Sequence, residues 1–205
     1  MPPQTRKPGH VRRREIAQAA LTLLGEQGAS SLTTANLARV VGVTSGALFR
    51  HFSTLDAVLE AAVELAIERV EGTFPPADLG PLERLRTLAE RRVALFGAEP
   101  GVAWLLFSDQ AEQVMPAAAT ARLRDLVQRS RAFLATAFAE GVESGEVRGD
   151  LEAGTLLPIF TGTVHSLVSS RGVHRGTRAR QARATAVLDT LFHLLTPPSS
   201  HEHHG

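Results

Sequence analysis

The stretch "LTTANLARVVGVTSGALFRHF", Leu32 to Phe52, packs two short helical patterns around one glycine and restricts the chain's fold more than any other segment. Thr33 stands where a helix N-cap belongs, with Leu32 before it and Leu37 at the fourth helical position, an arrangement that staples the entering chain to the helix. Thr44 repeats the device with Val43 and Leu48. Gly42 lies between them, where a sharp turn needs a left-handed residue. The spacing predicts helices over 34–41 and 45–52, joined as a helix-turn-helix. Leu37, Val40, Val41, Val43, Leu48 and Phe52 are expected to face inward.

The remaining positions pose a question. Ala35, Ser45, Gly46, Ala47, Phe49 and Arg50 are left on the outside, where Glu, Lys or Gln would normally stand. Side chains this small suit a helix that lies deep in the major groove of DNA, with its first residues close to base edges and phosphates. Ser45 can hydrogen-bond to a base or phosphate, the Ala47 methyl can meet a thymine methyl, and Arg50 can pair bidentately with guanine. The amides at both helix starts, beside Thr33 and Thr44, add an anion site through the helix dipole. The competing reading is an ordinary helical hairpin with incidental small residues.

Charge favours the DNA reading. Residues 1–53 carry seven basic residues against two acidic ones, and the rest of the chain fifteen against nineteen. A basic end on an otherwise acidic chain suits a polyanion partner. Lys7 is the single lysine, so arginine carries almost all the positive charge.

Elsewhere helical spacing dominates. A first helix is expected over about 11–26, with Ile16, Ala20, Leu23 and Leu24 as its stripe and Gly25 and Gly28 at its end. A fourth spans about 55–71 and carries Glu60, Glu64, Glu68 and Glu71 along a solvent edge. "GTFPPADLGP" then breaks the pattern. Further helices follow from Leu82 to Phe96, over "PGVAWLLF", through Leu123 to Phe138, from Leu151 to about Ser170 with a kink at Pro158, and from Arg178 to Leu195. The expected class is all-α with about nine helices. The expected division is a helix-turn-helix domain at 1–72, a sensing and dimerisation domain at 73–196, and a tail at 197–205.

The segment "LARVVGVTSGALFRHF" resembles the DNA-binding domain of TetR-family transcriptional regulators, through Gly42, Val43, Gly46, Leu48, His51 and Phe52, with Thr44 in the usual serine slot. The resemblance covers about the first third of the chain. It implies phosphate contacts at Thr34, Thr44, Phe49 and His51, and base contacts at Ala35, Ser45, Ala47 and Arg50. His51 alone would read equally as a structural histidine. Two departures stand out. Phe49 replaces the family's tyrosine, a loss of about 1 kcal/mol if that hydroxyl meets a phosphate. Leu55 replaces a lysine at the start of the fourth helix. Arg12, Arg13 and Arg14 are expected to compensate as an arm along the DNA backbone.

Reading a palindromic operator requires two copies about 34 Å apart, hence a homodimer. Gly162, Ala184, Val187, Leu188, Leu191 and Leu195, with Gly154 and Leu194 beside them, are the expected interface. Phe96, Trp104, Phe107, Gln110, Phe133, Phe160 and His165 are candidate pocket residues for an apolar or amphipathic inducer, although phenylalanine at helical spacing is commonly plain core.

Enzyme chemistry finds little support. Asp109 and Glu112 are one turn apart near Trp104, His165 and His193 are isolated, and no nucleophile has a base at recognisable spacing. Cysteine is absent. "HEHHG" lacks the fixed geometry of a metal site, and no metal or cofactor is expected. No apolar run approaches the roughly 20 residues of a membrane helix, and the basic start has no apolar stretch behind it, so the expected location is the cytoplasm. The expected function is an inducer-released repressor of a palindromic operator. The alternative is a nonspecific DNA-binding protein that recruits a protein partner and has no inducer.

Overall fold

The computed structural model describes residues 8–169 and 178–198. Among them are ten α-helices and no strand: α1 (Gly9–Gln27), α2 (Thr34–Val41), α3 (Ser45–Phe49), α4 (Leu55–Glu71), α5 (Pro81–Ala98), α6 (Pro100–Phe107), α7 (Asp109–Val114), α8 (Ala117–Glu143), α9 (Ala153–Ser169) and α10 (Arg178–Leu195). Two compact units emerge. The first comprises Met1–Gly72 with Ala98–Leu126, the second Thr73–Gly97 with Val127–Gly205. This division differs from a sequential cut at residue 72 by grouping α6, α7 and the start of α8 with α1–α4. Residues 170–177 and the "HEHHG" stretch lie outside the described residues.

In the first unit, α1 packs against α4 and α6. Ile16, Ala20 and Leu24 of α1, Leu37 of α2, Leu48 of α3 and Val58, Ala62, Val63 and Ala66 of α4 are all buried. Gly25 is not a helix cap. It lies inside α1, which ends at Gly28 with φ 78°. A Cβ at Gly25 would run into the backbone of Pro100 and Gly101, and one at Gly101 into the backbone of Leu21. Two glycines thus let the α1 and α6 backbones touch, a closeness any side chain would prevent.

The second unit closes on Leu85, Leu88 and Ala89 of α5, Leu134, Ala137 and Phe138 of α8, Leu156 and Phe160 of α9, and Leu188, Leu191, Phe192 and Leu195 of α10. Phe160 stands edge-on to Phe138 at 5.8 Å and to Phe192 at 6.2 Å. Pro158 lies within α9. Arg148 ties the end of α10, its amide donating to the Leu195 carbonyl at 2.8 Å and its guanidinium pairing with Asp150.

Candidate nucleic-acid interface

The helix-turn-helix forms as its caps require. The Thr33 hydroxyl accepts from the Asn36 amide and the Thr44 hydroxyl from the Ala47 amide, each at 3.2 Å. Gly42 ends α2 with φ 72° and ψ 40°, and the Val43 amide reaches back to the Ala38 carbonyl at 2.9 Å. Asn36 adds a bond the sequence did not announce, its side-chain amide donating to the Ser31 carbonyl at 2.8 Å. The two cap hydroxyls act as acceptors toward the protein, which leaves each O–H proton available to donate.

Thr33, Ala35, Thr44, Ser45, Gly46, Phe49 and Arg50 are exposed, and Thr34, Ala47 and His51 half-buried. All ten belong to α2, α3 or the turns that border them. A Cβ at Gly46 would meet nothing within 4 Å, so nothing in the protein requires a glycine there. Its presence in a helix costs roughly 0.5–1 kcal/mol relative to alanine. Phe49 is 47% exposed, a large apolar side chain held out into solvent on a five-residue helix.

Three expectations change. The second helix stops at Phe49 rather than Phe52, and Arg50 already serves as its C-cap. Val40 is 45% exposed rather than inward. It follows Arg39, which is exposed and stands one turn after Ala35. Arg39 was absent from the expected contacts, although its i+4 relation to Ala35 could have signalled it. Neither Arg39 nor Arg50 enters an ion pair among the described residues.

Arg12, Arg13 and Arg14 do not form an arm. They lie in the first turns of α1, and each has a partner within the chain. Arg12 pairs with Glu15 at 2.9 Å. Arg13 donates to the His51 carbonyl and sets its guanidinium 4.1 Å from the centre of the Phe52 ring. Arg14 binds Glu68 through two bonds of 2.8 and 3.0 Å, which raises the arginine's pKa and lowers that of Glu68. The arginines thus brace α1 against the end of the helix-turn-helix and against α4. Glu64 pairs with Arg122, so Glu64 and Glu68 on the α4 edge are matched within the same unit; Arg69 pairs with Glu99.

The candidate pocket residues do not gather within either unit. Trp104, Phe107 and Gln110 belong to the first, and Phe96, Phe133, Phe160 and His165 to the second. Phe160 is core, Phe96 and Trp104 are buried, and Phe107 is 39% exposed. Phe133 is half-buried against Phe74. His165 and Gln110 are exposed. Glu112 forms an ion pair with Arg124. Among the described residues no His, Cys, Asp and Glu cluster could hold a metal ion, and no helix is long and apolar enough to cross a membrane.

Leu188, Leu191 and Leu195, expected at a dimer interface, are buried in the chain's own core. Ala184 and Val187 are half-buried. Exposed on these helices are instead Ile159 (52%) and Leu194 (57%), with Gly162, Ala186 and Thr190.

Residues 16–62 match the family model described as bacterial regulatory proteins, tetR family. Among curated proteins the chain is similar to nucleoid occlusion factor SlmA, 46% identical over 59 residues (29% of this chain, 30% of the relative) in Marinobacter nauticus. In Vibrio cholerae the identity is 35% over 100 residues, 46% of this chain and 50% of the relative. The chain therefore spans no more than about half the length of these curated relatives. Its fold is similar to that of the ketosteroid transcriptional regulator KstR2 of Mycobacterium tuberculosis, with TM-score 0.78 and 19% identity over 91% of this chain and 96% of that one. It is also similar to AibR solved with isovaleryl coenzyme A and operator DNA, with TM-score 0.74 and 19% identity over 91% and 99%.

Proposed function

Given a chain that carries the TetR-family DNA-binding domain on an all-α TetR-like fold, we infer that this regulator acts as a homodimer on a palindromic operator and is released by a small amphipathic molecule. Gly46 carries the reading. A glycine that no neighbour demands, capped by Thr44 and accompanied by exposed Ser45 and Arg50 and half-buried Ala47, is explained by a surface that must come close to something outside the protein. In a DNA groove Ser45, Ala47 and Arg50 meet base edges. Thr33, Thr34, Thr44, Arg39 and His51 meet phosphates, with Phe49 packed against the sugar-phosphate chain.

The dimer forms through the exposed face of α9 and α10. Ile159 and Leu194 supply apolar area, and Gly162, Ala186 and Thr190 allow the helices to approach. The effector binds in the second unit and favours a dimer with the wrong spacing of reading heads. Repression follows from operator occupancy, in the cytoplasm, without enzymatic chemistry.

The SlmA relatives favour a second reading, in which the DNA-bound protein acts on a protein partner without an inducer. Selecting bound duplexes from a random pool separates the two. A twofold-symmetric consensus supports the regulator. A pool that emerges without sequence preference supports nonspecific binding and removes the operator. Light scattering at micromolar concentration should give twice the chain mass, and Ile159→Arg with Leu194→Arg should give one.

A further inference from the structure

Arg92, on α5, is drawn into the packing of the second unit without a counter-charge among the described residues. Arg84 has Glu140, Arg86 has Asp189 and Arg148 has Asp150. The Nε of Arg92 donates instead to the Thr73 hydroxyl at 2.7 Å, and its Nη2 to the Ser130 hydroxyl at 3.1 Å. Its guanidinium stands 5.3 Å from the centre of the Phe74 ring. No carboxylate pairs with it among the described residues, and its Nη1 makes no hydrogen bond to them.

Burial pulls its pKa from the ordinary 12.5 down to about 10, so the group remains a cation at neutral pH. Two hydroxyl dipoles replace only part of the hydration that a guanidinium loses on burial. A planar fork held in place by residues from two other segments is also preorganised for a carboxylate. Beside it Phe74 and Phe133 meet edge-on at 5.2 Å, and both are only partly buried against the core.

We propose that Arg92 anchors the acid group of a small amphipathic effector, its carboxylate accepting from Nη1 and Nη2 while its apolar body lies along Phe74 and Phe133. This rests on the reading of the second unit as the effector-binding one, and it specifies an organic acid. Thr73 and Ser130 are positioning residues that hold the fork open. A guanidinium that merely ties the α4–α5 linker to α8 would not distinguish an acid from its neutral counterpart.

Thermal unfolding of the full chain tests this with matched pairs below their micellar concentrations: benzoate with benzyl alcohol, octanoate with octanol, and decanoate with decanol. At least one acid should raise Tm by about 3 °C or more beyond its alcohol. Arg92→Gln should abolish that difference. Ser130→Asp places a carboxylate beside the guanidinium, so it should raise Tm without ligand and remove the acid's advantage. Equal shifts within all three pairs, or an acid preference that survives either substitution, would overturn the proposal. The test contains no DNA, so its failure leaves the duplex selection standing, and a failed selection leaves this comparison intact.

Discussion

Gly25 and Gly46 lie twenty-one residues apart in one unit, and opposite demands account for them. Gly25 faces the backbone of Pro100 and Gly101, where a single added carbon overlaps atoms that cannot move aside. Gly46 faces open space. The first glycine is explained entirely by the protein. The second is explained by nothing in the protein, and under the proposed function that absence of an internal reason belongs to the face turned toward DNA. The contrast generalises: a small residue pressed against backbone reports packing, whereas a small residue on an exposed helix reports a partner.

The largest expected effect lies at the packed glycine. Gly25→Ala forces the α1 and α6 backbones apart and should destabilise the chain by about 3 kcal/mol or more, at or above the upper end of ordinary overpacking. Denaturant unfolding measures it, and a loss below about 1 kcal/mol would erase the comparison. Gly46→Glu should behave oppositely. Its stability should hold or rise by up to about 1 kcal/mol, because glutamate regains the helix propensity glycine gives up. Its affinity for a selected duplex should fall on the order of 100-fold, about 2.7 kcal/mol.

Phe49→Tyr sharpens the picture. Phe49 is held out into solvent, so a gain of about fivefold in DNA affinity, near 1 kcal/mol, would place position 49 against a phosphate. An unchanged Kd would remove that contact. Gly46→Ala should raise stability by about 0.5 kcal/mol through helix propensity alone, and calorimetry would detect it.

The smallest effect concerns acid. The Arg14 bonds lower the folded-state pKa of Glu68, and those of Arg148 lower that of Asp150. The unfolded chain therefore binds protons more readily at these positions. Their stabilisation is present above the unfolded carboxylate range, near pH 4, and fades as pH falls through the lower folded values. Both carboxylates are exposed, so the loss is slight. Glu68→Gln should flatten the Tm decline below pH 4, and an unchanged slope would show the pair to be inert.

What could be read from the chain alone was whatever local chemistry decides. The Thr33 and Thr44 caps, the left-handed Gly42 and the extents of α2, α4, α6 and α10 depend on residues a few positions apart, and they stand where spacing put them. What could not be read depends on distant partners. Gly25 looked like a cap because Gly101 was seventy-six positions away. Arg13 looked like an arm because nothing nearby announced that the His51 carbonyl and the Phe52 ring would claim it. Leu188, Leu191 and Leu195 looked like an interface because one apolar stripe serves a core or a partner equally well. The same ambiguity scattered the candidate pocket residues across two units, whereas Arg92 went unnoticed because only burial sets it apart from its neighbour Arg91. The outward face of the helix-turn-helix was legible because exposure and small size at the same positions are hard to reconcile with any internal use.

The chain contains no cysteine, so Ser45→Cys would supply a single thiol at the first residue of α3, and its alkylation rate reports directly on what covers that face. With a selected duplex in excess, modification of position 45 should slow by at least about tenfold, while a lone thiol placed by Glu83→Cys on the exposed first turn of α5 reacts as before. Equal reactivity at position 45 in the free and DNA-bound protein would contradict the claim that this face enters the groove.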